Sequence, residues 1–179
     1  MAASPQLTSR LEYYLKNVFR PDCDFVDGEI LERNVGEHEH AFLQSLLATA
    51  INEHRREWGC TALTELRLQI ASGRYRIPDV SLVRADAPFE KVLSRPQLAC
   101  VEILSSGDRW SEITERFEDY RQMGVPILWA IDPLRARAWM QSNEQSEWKE
   151  TLLLHVPGTP VQIDLGPIFS ELADRKAQQ

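Results

Sequence analysis

Apolar and polar positions along the chain follow two periods, and the points where one gives way to the other divide it into elements. Residues 8–18 carry a short helical pattern, with Thr8 or Ser9 placed to cap it and Glu12 in the capping-box region. Asp24-Phe25-Val26 and Glu29-Ile30-Leu31 flank Asp27-Gly28, a dipeptide that favours a tight hairpin turn, and Gly36 is expected to close this unit. The longest helical pattern covers 37–58. Leu43, Leu46, Leu47, Ala50, Ile51 and His54 make its buried stripe, and Gly59 ends it. In 65–71 the period changes to two, with Leu66, Leu68 and Ile70 alternating against Glu65, Arg67 and Gln69. Ser72-Gly73 makes a turn. A second strand is expected over 76–84, where Pro78 suits an edge or a strand start.

After a loop over 86–96, residues 98–104 form a near-continuous apolar run of the kind buried on both faces of a sheet, with Glu102 in its middle. A second helix is expected over 108–123 on the stripe Trp110, Ile113, Phe117 and Tyr120, ended by Gly124. Another apolar strand covers 125–131, closed by Asp132-Pro133. Residues 137–141 and 151–156 read as a late hairpin joined by polar 142–148; 167–173 reads as a final helical turn, with a frayed tail over 174–179. Strands 65–71, 77–83, 98–104 and 125–131 are expected to share one mixed sheet, with the helices at 37–58 and 108–123 packed on it. The class is α/β (α+β), with hairpin additions at both ends.

Composition sharpens this picture. A chain of 179 residues with 43 % hydrophobic positions is long enough for one domain over 1–179 with a core that needs no disulfide staples. Cys23, Cys60 and Cys100 are far apart, no CxxC pair occurs, and a zinc ribbon is excluded. Cys100 reads as a small core residue. No apolar run approaches the ~20 residues of a membrane span. The opening MAASPQLTSR lacks a basic-then-apolar signal, so a cytoplasmic location is expected. The net charge of −7 weighs against a protein that coats itself with nucleic acid, though a local basic patch can still follow one strand.

Two acids stand in apolar strands: Asp79, beside Ile77, Val80 and Leu82, and Glu102, between Val101 and Ile103. An ionised carboxylate there is costly unless it is paired or holds a cation. Two neighbouring strands can bring such acids together, and oxygen ligands suit Mg²⁺ or Mn²⁺. The alternative is that Asp79 caps a turn after Pro78 and that Glu102 pairs with Arg67 or Arg116.

The strings RYRIPDVSLV, LACVEILSSGDR and ERFEDYRQMGVPILWAIDP, preceded by DGEILERNVGEHEHAFLQSLL, resemble the Uma-type family of restriction-endonuclease-like proteins, a branch of the PD-(D/E)xK superfamily, over about residues 24–141. The resemblance implies a restriction-endonuclease-like fold and metal-dependent phosphodiester cleavage of DNA. It places the family's acids on Asp79 and Glu102. The superfamily lysine would stand at Leu104. The lysine that many relatives carry on the following helix matches Arg116, which cannot give up a proton at neutral pH but can orient water or steady phosphate charge.

Further candidates extend the site. Arg116 flanks the buried stripe of its helix, where it reaches toward Glu102 or snorkels to solvent. Glu39 continues the core-facing stripe and is a candidate third metal ligand, or a first-turn acid serving the helix dipole. His40, Ser105 and Tyr120 are candidate substrate contacts, while Ser105, Ser106 and Asp108 also read as helix caps. The rival to a nuclease is a binding or regulatory module that kept the fold, favoured by Leu104 and Arg116. A third reading is a homodimer or larger oligomer whose late hairpin, with Trp139, Met140 and Trp148, forms the interface.

Overall fold

The computed structural model describes residues 5–33 and 37–178; Gly36, expected to close the first hairpin, lies outside them. Helix α1 (Pro5–Lys16) leads into strands β1 (Asp24–Val26) and β2 (Glu29–Leu31). These pair around Asp27-Gly28 as the dipeptide predicts, with both turn residues at positive φ. Helix α2 (His38–Glu53) is followed by one turn, α3 (Arg55–Trp58), and Gly59 ends the pair in the left-handed region. The single helix expected over 37–58 is therefore broken at His54. That residue leaves the core stripe, becomes exposed, and stacks on Trp58 at 4.6 Å. The stripe that is buried is His40, Leu43, Leu47 and Ile51.

Strands β3 (Cys60–Thr64), β4 (Leu68–Ala71), β5 (Arg74–Arg76) and β6 (Val80–Arg84) form one long hairpin turned at Ser72-Gly73. Its two ends lie in different sheets: β3 and β6 join a six-stranded sheet, whereas β4 and β5 join a four-stranded one with β1 and β2. This corrects the expectation that 65–71 belongs to the main sheet, whose edge is taken instead by β3. The crossing falls at 65–67 on one strand and 77–79 on the other. Glu65 has φ 51°, uncommon for a residue with a side chain, and Pro78 has no N–H to give a ladder. Both strands change sheets where the backbone is least able to continue regular pairing.

The main sheet is completed by β7 (Ala99–Ile103), β8 (Ile127–Asp132), β9 (Arg137–Ser142) and β10 (Gln145–Glu150), in the order β10-β9-β8-β7-β6-β3. Only β7 and β8 run parallel, joined through α4 (Trp110–Met123). Alternation along β7 sends Val101 and Ile103 to one face, where they pack with α2, and Cys100 to the other, against Ile113, Phe117 and Tyr120 of α4. Glu102 shares that second face. The expected strand pairing of 77–83 with 98–104 is found as the antiparallel ladder β6–β7.

The C-terminal part departs further from the expected hairpin. The stretch 142–148, read as a polar connection, contains most of β10, which pairs with β9 around Asn143-Glu144. An exposed edge strand carries too few apolar residues to show its period. The stretch 151–156 instead contains β11 (Leu153–His155), paired with β12 (Gln162–Asp164). The final helix α5 (Leu165–Ala177) is longer than 167–173, runs through most of the expected tail, and is capped by the Asp164 carboxylate on the Gly166 N–H. Trp148 and Trp139 pack inside the chain, Trp148 with its ring 4.8 Å from Phe117 and both close to Trp110. Met140 faces the opposite core. Both tryptophans thus have ring partners within this chain and remain partly exposed. Among the described residues, no helix is long and apolar enough to cross a membrane.

Candidate functional site

The crossover at 77–79 and the C-terminal end of β7 meet at the seam between the two sheets. The β6–β7 ladder pairs Val80 with Val101, so one step further the register sets Asp79 opposite Glu102. Asp79 is held on every side. Its backbone carbonyl accepts from the Gln44 amide at 2.8 Å and from the Glu65 N–H at 3.3 Å. Its carboxylate accepts from the Ile103 N–H at 2.6 Å and from Arg33 Nη2 at 2.6 Å, and His40 Nε2 lies 3.2 Å from Oδ2. Burial disfavours its charge, but the His40 hydrogen bond, the Arg33 charge and the Ile103 N–H together hold its pKa below the ordinary value. The same pairing raises the pKa of His40 against its own burial.

Glu102 is sealed, with 1 % of its surface exposed. One carboxylate oxygen accepts from Arg116 Nη1 at 2.9 Å and the other from the Tyr120 hydroxyl. Burial lifts its pKa to about 7 even though Arg116 opposes the rise; the neighbouring Asp79 adds to it. The Arg116 partner foreseen for Glu102 is found; Arg67 is not near it and clamps Asp22 and the backbone of α1 instead.

A cleft of about 230 Å³ opens beside Asp79, lined also by Arg33, His40, Gln44, Ser105 and Arg116. Of the residues singled out from the sequence, Asp79, His40, Ser105 and Arg116 thus share one cleft, with Glu102 beneath Arg116. Tyr120 is not available to a substrate, because it is fully buried and spends its hydroxyl on Glu102. Glu39 is not brought to the cleft either. Successive helix residues point about 100° apart, so with His40 facing Asp79, Glu39 turns toward α5 and pairs with Lys176 at 3.0 Å. The expected capping of α4 by Ser105, Ser106 or Asp108 is not the arrangement found: the N-cap position falls on Arg109 without a side-chain cap bond, and Asp108 accepts instead from the upstream Ser105 N–H at 2.7 Å.

Several residues of this region were not legible as site residues. Arg33 sits 46 positions before its partner Asp79 in a segment with no periodic pattern, so nothing local marks it. Below Arg116 lies a buried ionic network. Asp24 accepts from Arg76 Nη1 at 3.0 Å and from the Ile77 N–H at 3.1 Å, and Asp119 accepts from Arg76 Nε at 2.5 Å and Arg74 Nε at 2.6 Å. One signal for it was present: the alternation Arg74-Tyr75-Arg76 puts both arginines on one face and Tyr75 on the other, against Phe25 and Tyr14.

Whether these residues suit a divalent cation follows from their lone pairs. A carboxylate offers about four acceptor sites. Protein donors take three on Asp79, and two on Glu102, so acceptor capacity remains on both. Hard oxygen donors of this kind fit Mg²⁺ or Mn²⁺, which keep several waters and commonly take only one or two carboxylates. Among the described residues no group of three or more His, Cys, Asp or Glu side chains converges as a metal cage, so water would complete the shell.

The shifts carry a testable consequence for stability. The folded Glu102 binds its proton more tightly than the unfolded chain, so between about pH 4.5 and 7 its ionisation lowers stability as pH rises. Asp79 acts oppositely, losing its contribution only as pH falls below the ordinary carboxylate range. Urea unfolding across pH 4.5–8 is expected to show wild-type stability falling relative to Glu102→Gln, which has no proton to lose there. Parallel curves for the two proteins would contradict the assignment.

Known proteins bear on the fold at this point. No curated protein matches the chain. Among solved structures, a putative nuclease belonging to DUF820 from Anabaena variabilis ATCC 29413 superimposes with a TM-score of 0.79 at 19 % identity, covering 91 % of this chain and 98 % of that one. The DrdV–DNA complex reaches a TM-score of only 0.44 at 14 % identity, over 96 % of this chain and 13 % of that chain, too low a likeness to bear on the fold. The restriction-endonuclease-like architecture expected from the sequence is therefore the one found. The Uma2 family model, described as "Putative restriction endonuclease", matches residues 11–172, and the chain belongs to that family.

Proposed function

We propose that this chain is a nuclease that hydrolyses DNA phosphodiester bonds at the Asp79–Glu102 cleft with the help of Mg²⁺ or Mn²⁺, acting in the cytoplasm. The observation that carries this reading is the register of β6 and β7, which sets two buried acids opposite each other, Asp79 in the wall of a cleft that Arg33, His40 and Arg116 share and Glu102 behind Arg116. A divalent cation bound by Asp79 and Glu102 would activate water and offset charge on the phosphate. The chain's own groups do the positioning. The Ile103 N–H and His40 fix the Asp79 carboxylate, and Tyr120 fixes Glu102. Arg116 and Arg33 present guanidinium groups beside the acids, where they can steady the charge of a phosphate without taking up or releasing a proton.

A second reading rests on a specific observation. Arg33 and Arg116 already neutralise the two acids, as a cation would, and Leu104 stands where the superfamily lysine is expected. A protein so arranged can keep the fold as a binding module without efficient chemistry. Incubation of purified protein with single-stranded, duplex, branched and supercoiled DNA separates the two. The nuclease reading expects cleavage with Mg²⁺ or Mn²⁺ that a chelator stops. No cleavage of any form would establish the binding module instead.

Arg116 gives a finer test. Arg116→Ala should lose activity, since nothing else described donates to that oxygen of Glu102. Arg116→Lys should be tolerated or activating, because lysine keeps the charge and can also exchange a proton. Near-neutral effects from both, on a surface scale of about 0.5 kcal/mol, would mean that Arg116 is not part of the chemistry.

A further inference from the structure

A second, larger opening lies beside the cleft. It is a groove of about 790 Å³ that runs along α2 and past the edge strand β3, and Ala41 and Gln44 line both openings, so the two adjoin. Four of the α2 residues facing it recur at helical spacing and are short, Ala41, Ser45, Ala48 and Thr49, beside the longer Gln44, Asn52 and Glu53. An exposed helix face ordinarily carries long charged side chains, whereas this one leaves room for a polymer backbone to lie close. The unpaired edge of β3 is not open to another strand there, because the Asn52 side chain closes both polar groups of Ala62, accepting from its N–H at 2.9 Å and donating to its carbonyl at 3.1 Å. That argues against a β-strand as the occupant.

The charge distribution points to a polyanion. Most arginines of this chain are tied to a carboxylate, as Arg67, Arg74, Arg76, Arg84 and Arg137 are. Among the described residues Arg55 and Arg56 form no such pair, and the break at His54 brings both to the far end of the groove, opposed by Glu53 alone among its lining residues. Of the three other arginines without an ion pair among the described residues, Arg20 and Arg109 are exposed and adjoin in sequence Pro21 and Asp108, which line the cleft, whereas Arg10 on α1 donates to the Gly28 carbonyl. In a chain with a net charge of −7, Arg55 and Arg56 thus mark the cationic end of a path that runs from the cleft along α2.

We propose that this path is the track for one strand of the DNA substrate, with its sugar–phosphate backbone lying along α2 from the Asp79 cleft to Arg55 and Arg56. The inference rests on the nuclease reading and adds to it where the flanking strand runs. From Gln44 to Glu53 the helix advances roughly 14 Å at 1.5 Å per residue, long enough for a short run of backbone phosphates. Phosphate contacts of this kind carry affinity without sequence preference.

The test is fluorescence anisotropy of a labelled DNA duplex in the presence of a chelator, so that binding is read without cleavage, with circular dichroism confirming each variant's fold. Arg55→Glu/Arg56→Glu is expected to weaken binding at least about tenfold at low salt and to flatten the slope of log K against log salt by about two. Filling the groove with Ala48→Trp, which changes no charge, should weaken binding as well. The control Arg84→Glu/Arg95→Glu makes the same charge change at exposed positions lining a different cleft and should have little effect. If the groove variants bind like wild type, or if the control loses as much as Arg55→Glu/Arg56→Glu, the track is wrong while the nuclease reading stands on its cleavage data. If wild type neither binds nor cleaves DNA, the nuclease reading falls and this inference falls with it.

Discussion

Asp79→Asn and Glu102→Gln are each expected to abolish metal-dependent nicking, by a factor on the order of 10²–10³ or more, while the protein stays folded. The size follows from what a metal ligand supplies. Losing one removes water activation and charge neutralisation together, several kcal/mol of transition-state stabilisation at 1.36 kcal/mol per decade of rate. Folding should respond differently at the two sites. Asn at 79 keeps an acceptor for the Ile103 N–H but leaves the buried Arg33 without its counter-charge, so some stability is lost. Gln at 102 keeps an acceptor for Arg116 or Tyr120 and removes the cost of ionising a fully buried acid, so the protein should be about as stable as wild type near pH 7. A folded, inactive Glu102→Gln with weakened Mn²⁺ binding is the diagnostic result. Full activity in either variant, or Mn²⁺ binding unchanged when both acids are replaced, would remove these residues from the chemistry.

Arg76→Ala is expected to cost about 3–5 kcal/mol of folding stability, the range for removing one member of a buried ionic network. Arg76, Asp24 and Asp119 have side chains 5 %, 3 % and 2 % exposed, so truncation leaves two carboxylates in the interior without their shared cation. Some relief remains. Arg74 still reaches Asp119, and Arg116 lies 3.8 Å from Asp24, which places the expectation toward the lower end of the range. Replacing the carboxylates along with the arginine, as in Asp24→Asn/Arg76→Met/Asp119→Asn, should recover part of the loss, because the stranded charges go too. Arg84→Ala, at an exposed pair, should leave stability nearly unchanged. Urea unfolding measures all three. A loss below about 1 kcal/mol for Arg76→Ala would show that the network is not closed as the structure has it. Because Arg116 bridges this network to Glu102, the same loss should also loosen the floor of the cleft.

The sequence by itself determined what depends on local periodicity. The stripes of α2 and α4, the two-sided apolar runs of β7 and β8, and the Asp27-Gly28 hairpin are each written within a dozen or so neighbouring residues, where side-chain direction follows directly from the helical or strand period. Asp79 and Glu102 stood out for the same reason, being charges inside apolar strands. Only the tertiary structure decided matters that turn on distant partners or on a few degrees of rotation. The two ends of the hairpin β3–β6 enter different sheets, because the bend depends on Glu65, at positive φ, meeting Asp79 across the ladder beside Pro78. His40 rather than Glu39 reaches Asp79 because adjacent helix positions point in different directions, and the packing of α2 on the sheet and on α5 decides which of them faces the cleft. Arg33 joins Asp79 across 46 residues. An ion pair of that span leaves no local pattern, since Arg33 reads alone as an ordinary surface charge until folding buries it against Asp79.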